Sequence, residues 1–145
     1  MPLTEDEQHD IARAGELALL PVVFVHGQGS LPDVWDPWRT MFEEQGFATV
    51  APGWSADPEI ACVTSHHLEV VRSLHRLPAL VGHAFGGSVV LRLADLGVSR
   101  STVAIDPAGI GESGRTPLLI IDTEKCGFPG LTVARTALDF IRRHQ

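Results

Sequence analysis

A chain of 145 residues, 44% hydrophobic and 20% charged, is one domain's worth of sequence with enough apolar content to bury a core. Its 11 Lys and Arg against 18 Asp and Glu leave a net charge of -7, which excludes the basic stripe that a nucleic-acid partner needs. Met1 to Asp10 is too acidic and polar for a secretory leader, no apolar run approaches membrane-spanning length, and Cys62 and Cys126 lack metal-site spacing. These features predict a single cytoplasmic domain over 1–145, without membrane or nucleic-acid partners, that takes a small-molecule ligand and needs no cofactor.

In chain order, Thr4 with Glu7 three residues on is a capping box, and Ile11, Ala14, Leu17 and Ala18 continue it at helical spacing. A first helix over 4–18 follows, within an N-terminal segment 1–20. Val22 to Val25 is a β-branched apolar run ended by His26-Gly27, the pattern of a strand buried on both faces. Trp38 to Gln45 reads as a helix closed by Gly46, and Phe47 to Ala51 as the next strand. Thr64 to Leu77 reads as a helix, Ala79 to Val81 as a central strand, and Gly87 to Leu96 as a helix ended by Gly97. Thr102 to Ile105 and Leu118 to Ile121 supply two further strands, and Leu131 to Arg143 the last helix. Strands alternating with helices predict an α/β fold, a three-layer sandwich around a mostly parallel sheet of about five strands. In such sheets ligands sit beyond the carboxyl ends of the strands, so the residues just after each strand carry the functional question.

One of those junctions is diagnostic. Gly82-His83-Ala84-Phe85-Gly86 has the Gly-x-Ser-x-Gly spacing of a strained strand-to-helix turn that lifts a nucleophilic hydroxyl above a sheet. Ala84 stands where that serine belongs. The glycines that let the turn form are kept, and the attacking group is not.

Three segments together resemble the α/β-hydrolase fold family: Val22 to Gly29, the turn at 82–87, and Pro117 to Lys125. Val103 to Ala108 also looks like the strand that follows the turn's helix in bacterial members. The resemblance implies the sheet order 47–51, 22–26, 79–83, 102–106, 117–121, a flavodoxin-like arrangement cut from a larger sheet and lacking a cap. It implies that the backbone N–H groups of Gln28 and Phe85 form an oxyanion hole, since a backbone donor depends only on loop geometry. It also places Cys126 where the family's acid sits. The family's histidine falls in Cys126-Gly127-Phe128-Pro129-Gly130, which contains none.

Candidate residues follow from these positions. Asp106 ends a strand at the ligand edge and is an acid/base candidate, with capping of the following turn as the alternative role. His26 follows the first strand at the oxyanion loop, where it is either catalytic or a hydrogen-bonding support. Gly27, His83, Trp35 and Trp54 are candidate substrate contacts, the tryptophans either walling an apolar pocket or filling core volume. His66-His67 with Glu69 on one helix does not give the i,i+4 pair a zinc site needs, and no metal is expected.

Three functions fit. Without a nucleophile no acyl-enzyme forms, yet binding plus an oxyanion hole still supplies about 10³–10⁴-fold over water. That suits a cyclisation, elimination or isomerisation of an apolar carbonyl compound, in the manner of a cyclase, lyase or isomerase. The second reading is a serine esterase or thioesterase inactivated by a serine-to-alanine change at Ala84. The third is a non-catalytic module, a pseudoenzyme that binds a ligand or partner. A shortened sheet with an open edge also allows a homodimer.

Overall fold

The computed structural model describes residues 3–54, 59–108, 116–123 and 127–145. Its elements are α1 (Glu5–Leu17), β1 (Pro21–Val25), a 3-10 turn (Pro32–Trp35), α2 (Asp36–Glu44), β2 (Ala48–Val50), α3 (Ile60–Arg72), β3 (Ala79–His83), α4 (Phe85–Asp95), β4 (Ser101–Ile105), β5 (Leu118–Ile121) and α5 (Leu131–Arg143). The five strands form one sheet in the order β2-β1-β3-β4-β5. Every pairing is parallel, with Val22 opposite Ala79, Ala79 opposite Ser101, and Thr102 opposite Leu118. This is the α/β class that the alternation of strands and helices predicts, and the strand order that the resemblance implies.

Period-2 alternation along β1 divides the core into two layers. Val22 and Phe24 face one side, where Trp35, Trp38, Phe42, Leu138 and Ile141 from the 3-10 turn, α2 and α5 close over them. Val23 and Val25 face the other, against Val63, Val70, Val89 and Leu93 of α3 and α4. At one end of the sheet α1 packs on the edge strand β2. At the other end β5 is half-buried, with Ile120 46% exposed. No helix among the described residues is long and apolar enough to cross a membrane.

Three helices have a boundary two or more residues from the sequence reading. α3 runs from Ile60 to Arg72 and not from Thr64 to Leu77. Its end comes early because Ser73 turns its hydroxyl back onto the Glu69 carbonyl at 2.8 Å, and Pro78 disfavours helical backbone at Leu77. α4 starts at Phe85 because the strained residue before it is itself the helix cap. α2 starts at Asp36, ahead of Trp38, because Pro37 sits in its first turn with φ already set for a helix.

Candidate active site

The turn after β3 holds Ala84 at φ 55°, ψ -119°, a conformation that an L side chain adopts only under constraint. The constraint is backbone packing. A Cβ on Gly82 would lie 2.2 Å from the Gly86 carbonyl oxygen, and one on Gly86 would lie 2.2 Å from the Val25 carbonyl oxygen. The start of α4 is therefore pressed onto the ends of β3 and β1 at a distance only glycine permits. The Ala84 amide donates to the Ile105 carbonyl at 2.9 Å and its carbonyl accepts from Ser88 at 3.2 Å, which fixes the turn from both sides. His83, Ala84 and Phe85 all remain partly exposed.

The loop after β1 comes up against this turn. A Cβ on Gly27 would lie 3.3 Å from the Ala84 Cβ and 3.2 Å from the His83 carbonyl oxygen. Gly27 to Ser30 is a tight turn, closed by the Ser30 amide donating to the Gly27 carbonyl at 3.2 Å, with Gly29 at φ 79°. Gln28 is exposed at its tip. Phe85 is the first residue of α4, where a helical N–H has no partner within its own helix. The two amides expected to act together thus come from adjoining pieces of backbone.

Asp106 lies just past β4 at φ 47°. Its Oδ1 accepts from the Thr123 amide at 2.8 Å and its Oδ2 from the Thr123 hydroxyl at 2.5 Å, tying the ends of β4 and β5 together. Burial alone would raise the Asp106 pKa. The Thr123 hydroxyl and amide, then the nearby His83 and Asp122, outweigh it and hold the carboxyl below its ordinary value. At neutral pH it is a carboxylate and not a proton donor. The His83 ring meets Phe128 edge to face at 5.5 Å. Burial depresses the His83 pKa against the pull of the Asp106 charge, so the imidazole is neutral at pH 7.

His26 is 1% exposed. Its Nδ1–H donates to the Gly27 carbonyl at 2.8 Å, and its ring stacks on Trp54 at 4.7 Å with planes 5° apart. Burial lowers its pKa, against the raising effect of that hydrogen bond. His26 therefore supports the loop from beneath. Trp54 also donates from Nε1 to the His26 carbonyl at 3.2 Å and leans on Phe85 at 5.0 Å. Of the two roles open to Trp35, the structure gives it the core one and not substrate contact: it has no accessible surface and packs between Phe24 and Trp38. The Cys126 position lies outside the described residues.

Glu7 is the residue that sequence reasoning assigned only to a cap. It does cap α1, accepting from the Thr4 amide at 2.8 Å. It is also 2% exposed, and its Oε2 pairs with His66 Nε2 at 2.9 Å and accepts from the Gly53 amide at 3.3 Å. His67, fully buried next to His66, donates from Nδ1 to the Val63 carbonyl at 2.8 Å. Burial drives its pKa down to about 4. The only sequence signal for this cluster was a capping glutamate on a helix that must cover an edge strand.

Residues 22–144 match the model of the alpha/beta hydrolase family. Among solved structures, the chain is similar to a monoacylglycerol lipase from Paleococcus ferrophilus (25% identity, TM-score 0.58, 67% of this chain and 42% of that one). It is also similar to a putative thioesterase from a Silicibacter species (24% identity, TM-score 0.53, 60% and 40%). A putative hydrolase from Xanthomonas campestris shares more of its length, at 17% identity and TM-score 0.63 over 83% of this chain and 80% of that one. The chain thus spans about two fifths of the lipase and the thioesterase. No curated protein matches it in sequence.

Proposed function

The chain belongs to the alpha/beta hydrolase family, and from that premise we propose that it binds an apolar carbonyl compound at the elbow and transforms it without a covalent intermediate. The observation that carries this reading is Ala84 itself, partly exposed and held at φ 55° by Gly82 and Gly86 although it has nothing to present. A turn this constrained, kept beside the Gly27 loop, serves the amides of Gln28 and Phe85 even with no hydroxyl between them. Those amides polarise the carbonyl. His83, neutral at pH 7, exchanges the proton, and the Asp106 carboxylate favours the imidazolium that forms. Together such groups reach the acceleration that an enolisation, elimination or cyclisation requires, about 10²–10⁴-fold from proton transfer and about 10³–10⁴-fold from the amides and binding.

Titration with decanoate, whose carboxylate imitates a polarised carbonyl, tests the reading by NMR. Saturable shifts of the Gln28 and Phe85 amides are the expected result, and no binding at those residues would overturn it. A second reading, an esterase stopped by alanine at the elbow, is favoured by the same intact turn, which suits a serine. It predicts that Ala84→Ser reacts with a fluorophosphonate probe. The non-covalent reading predicts an unlabelled protein, because residues 127–130 lack the histidine that would activate the hydroxyl.

A further inference from the structure

The two amides assigned above belong to separate segments, the loop after β1 and the first turn of α4. One side chain lies across both. Trp54 stacks face to face on His26, donates from Nε1 to the His26 carbonyl, and rests its ring on Phe85 at 5.0 Å. His26 is 1% exposed and its Nδ1–H is spent on the Gly27 carbonyl, so its ring has neither room nor a free proton with which to move independently of the loop. Displacing Trp54 therefore removes a contact from His26 and from Phe85 at once.

Trp54 is in turn held from outside the family match. Glu7, on α1, takes the Gly53 amide at 3.3 Å while anchored by Thr4 and His66, and α1 precedes the matched residues 22–144. The Pro32 ring also packs against this residue, 3.1 Å from where a Gly53 Cβ would stand.

We infer that Trp54 is a positioning residue that sets the angle between the Gln28 and Phe85 N–H groups, and that α1 holds Trp54 in place through Glu7. This rests on the amide-pair reading for its purpose but not for its geometry. Trp54 is then a clamp behind the site and not a wall that the ligand touches.

The test compares the full chain with Trp54→Phe, Trp54→Ala and Glu7→Gln by residual dipolar couplings of the Gln28 and Phe85 amides, without ligand. These couplings report bond direction and are blind to the loss of a ring current. Trp54→Ala should turn the two N–H vectors relative to each other by more than the roughly 10–20° a working site tolerates. Trp54→Phe, which keeps the stack and loses the N–H, should turn them less, and Glu7→Gln should move them in the same sense. Decanoate affinity should fall about tenfold in Trp54→Ala. Should Trp54→Ala not fold, Trp54→Phe alone decides. Unchanged vectors in Trp54→Phe and Glu7→Gln would overturn the inference, and so would decanoate affinity unchanged despite turned vectors. Failure of decanoate to bind the unaltered chain would count against the carbonyl reading only, since the ligand-free couplings still decide the role of Trp54.

Discussion

Ala84 is kept in a conformation whose cost glycine would largely avoid. A non-glycine residue in such a region carries about 1–3 kcal/mol of strain, and Ala84 sits there at φ 55°, ψ -119°. Ala84→Gly should therefore stabilise the protein by about 1 kcal/mol, read as a higher urea midpoint. An unchanged or lower midpoint would mean that the elbow is less strained than its dihedral angles indicate. At Asp106, both carboxylate oxygens accept from Thr123. Thr123→Val removes the hydroxyl donor and keeps the shape, so the Asp106 pKa should climb back toward its ordinary value. Carboxyl carbon shifts followed against pH measure this, and no change would assign the low value to other neighbours.

Among the elements, β1, β3 and α4 meet backbone to backbone. With a Cβ at Gly86 only 2.2 Å from the Val25 carbonyl oxygen and 2.6 Å from that of His26, backbone meets backbone and no side chain can yield. Gly86→Ala should cost about 3 kcal/mol or more, seen as a lowered urea midpoint, whereas Gly130→Ala, with open space around it, should cost far less. α1 is held differently, by two carboxylates: Glu7 takes His66 and the Gly53 amide, and Asp10 pairs with Arg39 at 3.1 Å. Glu7→Ala leaves the buried His66 and the part-buried Gly53 amide without this acceptor and should cost roughly 3 kcal/mol, with faster amide exchange concentrated in α1. The strands and the elbow were legible in the sequence because a β-branched run with glycines at fixed spacing permits few conformations. The Glu7–His66 pair was not. It joins residues 59 apart, and no local pattern announces a contact of that range. The tryptophans divide for the same reason: the sequence puts Trp35, Trp38 and Trp54 near one strand end, and only packing buries the first two in the core and leaves Trp54 across His26 and Phe85.

For the whole molecule, the buried histidines set how stability follows pH. A histidine whose folded pKa lies below its unfolded value contributes fully above the unfolded value and loses that contribution as pH falls. His67, ordinarily near 6.5 and about 4 when folded, should therefore withdraw roughly 3 kcal/mol between pH 6.5 and 4. His26 and His83 are shifted in the same direction, and Glu7, also lowered, adds a loss below its ordinary 4.5. Asp10 opposes the trend, because burial raises its pKa despite the Arg39 charge. Urea midpoints should fall steadily across that window, and His67→Asn, which keeps a donor for the Val63 carbonyl, should flatten the decline. A flat profile in the unaltered protein would mean that His67 is hydrated. One end of the sheet is covered by α1 on β2, the candidate site lies mid-sheet where β1, β3 and β4 end, and the elbow is held by backbone contacts from β1, β4 and α4. On the proposed reading that bracing has a purpose, which is to aim the amides beside Ala84 at a ligand's carbonyl. A crystal structure with decanoate bound tests this most directly: the account predicts one carboxylate oxygen about 2.7–3.1 Å from the backbone nitrogens of both Gln28 and Phe85. Decanoate bound elsewhere, or the two N–H groups pointing apart around an empty elbow, would contradict it.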